Sequence, residues 1–120
     1  MTPLQTKQKA FLDEMVKHFN STNRAYNPDT RRCSYEHSVN GGCAIGRKCT
    51  KAQAEKLEKK TGGVYDVWRL LPDKLKRLEM SFLDTVQSLH DGETYWNETG
   101  LTNTGTDEYD YICDQFGLTN

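Results

Sequence analysis

The chain has 120 residues, 16 basic and 17 acidic side chains and a net charge of −1, which is the size of a single domain spanning residues 1 to 120. That charge balance excludes broad binding to a nucleic-acid backbone, which needs Lys and Arg in excess on one face. No window approaches the roughly 20 apolar residues that cross a bilayer, and MTPLQTKQKAFLDEM lacks the apolar run and small-residue site of a secretion signal. A cytoplasmic protein is therefore expected, with no membrane and no nucleic acid among its partners. There the four cysteines are expected as free thiols and not as a disulfide framework. Mean hydropathy is low at −0.84, but two Trp, six Tyr and four Phe supply large apolar areas for a core.

Residues 3 to 19 carry Phe11, Leu12, Met15, Val16 and Phe19 at helical spacing, with Thr2 as cap and Pro3 at the first helical position. The segment NSTNRAYNPDTRR has no period and reads as a loop, in which Arg24 and Tyr26 are candidates to dock on the rest. CSYEHSVNGGCAIG reads as a hairpin: Ser34 to His37 outward, a turn at Asn40-Gly41, Cys43 to Ile45 returning. Thr50 and Gln53 stand at capping-box spacing before a helix with a thin apolar face, stopped by Gly62 and Gly63. Val64, Val67, Trp68 and Leu71 predict a short helix.

PDKLKRLEMSFLDTVQSLHDG is read as one long central helix, because Leu75, Leu78, Phe82, Val86 and Leu89 form a single stripe and Asp91-Gly92 ends it. ETYWNETGLTNTGTD reads as a second loop anchored by Tyr95, Trp96 and Leu101. Thr104 or Thr106 caps a last helix with Ile112, Cys113 and Phe116 inward. Gly117 stops it, and Leu118 is placed for the hydrophobic contact that follows such a stop. The expected class is a helix-dominated α+β fold, four or five helices around a short hairpin.

Four chemistries were weighed on these elements. Zinc fits poorly: Cys33, Cys43 and Cys49 lack the close ligand pairs of structural sites, so neither metal nor cofactor is implied. A nucleophilic Cys43 has His90 as a candidate base and Asp91 to orient it, with Arg47 near in sequence to lower the thiol pKa. The competing reading makes Cys43 a small buried apolar residue and His90 a helix-end complement to the macrodipole. Third, the backbone N–H groups of NGGCAIG, flanked by Arg47, Lys48 and Arg31-Arg32, can hold a small anion. Fourth, Tyr109 and Tyr111 among Asp107, Glu108, Asp110 and Asp114 form an acidic, aromatic edge that suits a protein partner.

The steps CSYEHSVNGGCAIGR, FLDTVQSLHD, YW and a final FGL resemble a widespread set of small uncharacterised proteins of bacteria and their phages. The matching positions are Cys33, Tyr35, Cys43, Ala44, Ile45, Gly46, Gln87, His90, Asp91, Trp96, Gly117 and Leu118, so residues 33 to 118 are covered. The first helix fits more loosely and the lysine-rich 50 to 60 segment departs. The resemblance implies an architecture and a set of paired positions, and no reaction. It sets the hairpin against the end of the central helix, with Tyr35, Cys43, Gly46, Arg47, Gln87, His90, Asp91 and Trp96 as candidate ligand-binding residues. The expected function is that of a phage- or prophage-type accessory protein, non-catalytic, binding a host protein or a small anionic molecule as in counter-defence. Its rivals are a cysteine-dependent hydrolase or transferase using Cys43 and His90, and a structural partner-docking module. Homo-oligomerisation is left open.

Overall fold

The computed structural model describes residues 1–27 and 32–119. Arg31 and the side chain of Arg32, part of the expected cationic flank, lie outside that description. The fold is the expected helix-dominated α+β class. Its first helix, α1, spans Pro3–His18, and the Thr2 hydroxyl accepts from the Gln5 amide while the Gln5 side chain accepts from the Thr2 amide. Two orphan N–H groups are thus satisfied reciprocally. Gln8, Phe11, Leu12 and Met15 face inward, followed by Phe19 just past the helix end.

The hairpin is present but displaced. Strands β1 (Tyr26–Asn27) and β2 (Arg32–Cys33) pair antiparallel, with Tyr26 opposite Cys33. The turn expected at Asn40-Gly41 forms: both residues have positive φ, 52° and 80°, and the Gly42 amide donates to Val39 O over 2.9 Å. Its arms, however, are not strands. Residues 36 to 41 wind into successive turns, with Val39 N donating to Glu36 O and Gly41 N to His37 O. A single rung remains, from Cys43 N to Ser34 O at 2.9 Å. The physical reason is that the returning arm curls at once into a 3₁₀ turn, Gly46–Lys48, whose first residue lies directly on the Tyr35 backbone.

Helix α2 (Lys51–Lys60) carries the expected Thr50/Gln53 capping box and buries Ala54 and Leu57. Val64–Val67 forms α3, and Trp68–Leu70 continues it only as a 3₁₀ turn. The long central helix is a correction. It is two helices, α4 (Asp73–Lys76) and α5 (Met80–Asp91), separated at Glu79, whose φ is 77°. The break frees the Leu78 carbonyl, and the buried Gln8 side chain of α1 donates to it at 2.9 Å. Leu75, Leu78, Phe82, Val86 and Leu89 still reach one core. The hydrophobic period therefore survives a bend that the hydrogen-bond ladder does not.

The second loop also contains a ribbon, β3 (Trp96–Asn97) with β4 (Gly100–Leu101). The last helix, α6, spans Asn103–Phe116 and is capped by Thr102, whose hydroxyl accepts from Gly105 N. The cap is thus two residues before Thr104 and four before Thr106, the two expected caps. Gly105 does not break it, because a Cβ there would lie 2.2 Å from Tyr95 O; the glycine is a close-packing residue. The C-terminal stop forms as read: Gly117 is left-handed, Leu118 N donates to Cys113 O at 2.8 Å, and Leu118 is buried. Phe82 joins α1 and α6 in the core through edge contacts with Phe11 and Phe116. Among the described residues no helix is long and apolar enough to cross a membrane.

Candidate functional site

A helix that ends inside a protein leaves its last four carbonyls without intrahelical donors. Helix α5 ends in this way, and each carbonyl has a donor. Ser88 O accepts from Gly92 N at 3.1 Å, Leu89 O from the Trp96 indole at 2.9 Å, and His90 O and Asp91 O from one nitrogen of Arg24 at 3.1 and 2.8 Å. The Arg24 guanidinium stacks over Tyr26 at 4.9 Å and sets a cation at the negative end of the helix dipole. The docking role read for Arg24 is thus located. Helix α5 needs that cation because its end is covered by β2 and by Trp96 of β3.

The side chains of the last turn close on one another. His90 Nδ1 lies 2.7 Å from Asp91 Oδ1, and Gln87 Nε2 donates to the same oxygen at 3.0 Å. The hydrogen on the ring is therefore on Nδ1. The imidazole is fully buried and stands edge-on to Phe19 at 4.7 Å. Among the described residues, three buried polar atoms here lack a protein partner: Arg24 Nε, Gln87 Oε1 and His90 Nε2.

Cys33 brings the glycine-rich loop to this helix end. Its thiol is beside Cys43 and in the field of Asp91; the Cys43 thiol, then burial, holds its pKa well above the ordinary thiol value. Tyr35 is pushed up chiefly by burial, and its hydroxyl donates to Gly62 O at 2.9 Å. Cys49, also inward, is pushed up to about 11, again by burial first. Gly42 and Gly46 both lie on the Tyr35 backbone, and His37 Nε2 is 2.8 Å from Gly46 O. Cys33, Tyr35, Cys43 and Asp91 therefore form one neighbourhood, which Gln87 and His90 enter through Asp91 and which Trp96 borders. The Arg47 amide donates to Cys43 O at 3.0 Å, but its guanidinium turns over the Phe19 ring to pair with Glu14 of α1 at 3.1 Å.

Chemically this cluster is a seal. Cys43 and His90 are both 0% exposed, and among the described residues no hydrogen bond joins them. Among the described residues no group of three His, Cys, Asp or Glu side chains is placed to hold a metal ion. The four free thiols are all buried.

Open surface lies on the other side of α1. A groove of about 300 Å³ runs between α1 and α4, floored by Phe11, Leu75 and Leu78 and bordered by Lys7, Lys48, Lys74 and Glu14. Glu14 accepts from both Arg47 and Lys48, which hold its carboxyl below the usual range, Lys48 first. Lys7 and Lys74 are exposed and have no carboxylate partner among the described residues. The lining sets three lysines, Lys7, Lys48 and Lys74, against one carboxylate, Glu14. The sequence singles out Arg47 and Lys48, and neither Lys7 nor Lys74. Only the fold brings these elements side by side. No protein-family model, curated protein or solved structure matches this chain.

Proposed function

We propose that the chain is a non-catalytic accessory protein of the phage or prophage type that acts by binding an anionic partner, in the manner of counter-defence. The observation that carries the binding reading is the groove between α1 and α4, where Lys7 and Lys74, in no ion pair among the described residues, stand over an apolar floor. Such a surface attracts an acidic, partly apolar segment of another protein, since rim lysines steer the encounter and the floor takes a side chain. A small anion is the lesser match, because the lysines ring an open groove and converge on no single point. The thiol-enzyme reading finds no support in Cys43, which is enclosed by Cys33, Tyr35 and the loop's own backbone. The phage placement rests on the motif resemblance alone, and the genes beside this one check it.

The binding test is direct. A fluorescein-labelled peptide of alternating Glu and Phe is titrated with the protein, and thermal shifts are recorded in parallel with phosphate and nucleotides. Binding of the peptide that weakens at least tenfold in the Lys7→Glu/Lys74→Glu variant supports the reading. A ligand at 100 times its Kd adds about 2.7 kcal/mol of stability, so a true small ligand would be visible too. No peptide binding and no shift with any anion would end the proposal.

A further inference from the structure

Helix α6 presents the complement of that groove. Asp107, Asp110 and Asp114 recur at helical spacing with Tyr111 between them, all on the solvent face, and Tyr111 is 61% exposed. None of the three carboxylates is in an ion pair among the described residues. A large aromatic ring framed by carboxylates on one side of a molecule, and lysines around an apolar floor on the other, are matched in charge and in polarity. We propose that the groove of one copy of this chain takes the α6 stripe of a second copy. The inference rests on the reading of the groove as an anionic-partner site and names that partner.

Geometry forbids the pairing within one chain. Helix α1 meets α6 through Lys9 and Asp13, which contact Tyr109, whereas Lys7, Phe11 and Glu14 of the same helix border the groove. At about 100° per residue these two sets lie on opposite sides of α1. Stripe and groove therefore face apart, and the contact is heterologous, head to tail, building rings or open chains and not a two-fold dimer. Two helical turns against one groove make a small interface, so the association is weak, rises with protein concentration and is screened by salt.

The test is sedimentation velocity on the full chain. The wild type is expected to show a mass that climbs with concentration at low salt and returns to the monomer at molar salt. Asp110→Lys/Asp114→Lys and Lys7→Glu/Lys74→Glu, whose altered side chains are exposed, are each expected to remain monomeric with unchanged unfolding curves. Mixed in equal amounts, they carry restored complementarity and associate again. A wild type monomeric at low salt across the range, association indifferent to both charge reversals, or a mixture that stays monomeric would each overturn the proposal. If the labelled Glu/Phe peptide binds a strictly monomeric wild type, self-docking falls and the groove reading stands. If the peptide also fails, both fall.

Discussion

Gly46→Ala is the sharpest test of why the motif contains glycine. A Cβ at residue 46 would sit 2.1 Å from Tyr35 O and 2.7 Å from Tyr35 Cα. Those are backbone atoms, and they are pinned: the Tyr35 hydroxyl donates to Gly62 O, Ser34 N donates to Ala25 O at 2.7 Å, and Ser34 O accepts from Cys43 N. The clash is more than an ångström short of ordinary contact, so the loop must lift and the Cys43–Ser34 rung stretches or breaks. Overpacking costs about 1–3 kcal/mol and a lost hydrogen bond about 1 kcal/mol more, for an expected loss of roughly 2–4 kcal/mol. Gly41→Ala is the internal control. Nothing lies within 4 Å of its would-be Cβ, but φ is +80°, so only the left-handed backbone cost of roughly 1–2 kcal/mol applies. Urea unfolding of both variants, compared at constant m-value, reads the difference. Gly46→Ala as stable as wild type, or less damaging than Gly41→Ala, would refute the claim that the loop is locked onto Tyr35.

Other consequences follow from the same contacts. Gln8→Leu leaves the Leu78 carbonyl buried and unpaired at the α4–α5 bend, for an expected loss of about 1–3 kcal/mol in urea unfolding; no loss would mean the bend does not need that bond. Trp96→Phe keeps most of the ring but strips the donor from Leu89 O, with a loss of similar size. Thiol labelling at neutral pH is expected to run far slower than for free cysteine, since all four thiols are buried and Cys33 and Cys49 are shifted away from the thiolate. Cys33 or Cys43 labelled at the free rate would contradict the seal. The Tyr109 pKa is raised to about 12, by burial and then by Asp13. A raised folded pKa holds the proton more tightly than the unfolded chain does, so stability is intact below pH 10 and falls as pH rises from 10 towards 12. The alkaline loss should be smaller in Tyr109→Phe, measured as the slope of unfolding free energy against pH; equal slopes would refute it.

Local signals were readable where a few consecutive residues settle the structure. Thr2 with Gln5, Thr50 with Gln53, and Gly117 with Leu118 all act as their spacing indicates. The Asn40-Gly41 turn was equally legible, because positive φ is a property of those two residues. What could not be read is what a distant partner decides. The break at Glu79 is stabilised by Gln8, 70 positions away, while the leucine and phenylalanine stripe runs on unbroken, since periodicity reports a face and not a ladder. Ribbons of two residues per strand are too short to show alternation, so neither β1–β2 nor β3–β4 has a signature in the sequence. The pairing of Cys33 and Cys43 with Asp91 followed from the resemblance, whereas the groove combines Lys7, Lys48 and Lys74 from three elements and has no linear signature.

The motif residues most suggestive of chemistry are those that a buried helix end requires. Leu89, His90 and Asp91 offer carbonyls to a region closed to water, and only long side chains with N–H groups reach them from outside the helix; Trp96 and Arg24 are such side chains. Gln87 and His90 are held on Asp91, and thiols fill the remaining space because they are small and demand no hydrogen bond. A His90→Ala or Asp91→Ala variant is therefore expected to loosen the helix end, whatever else it changes. Lys7 and Lys74 are the opposite case. They are exposed and join no ion pair among the described residues, so reversing their charge changes the proposed binding surface and leaves the core contacts in place. Function, if it resides in the groove, is separable from folding only at those lysines and at the aspartates of α6.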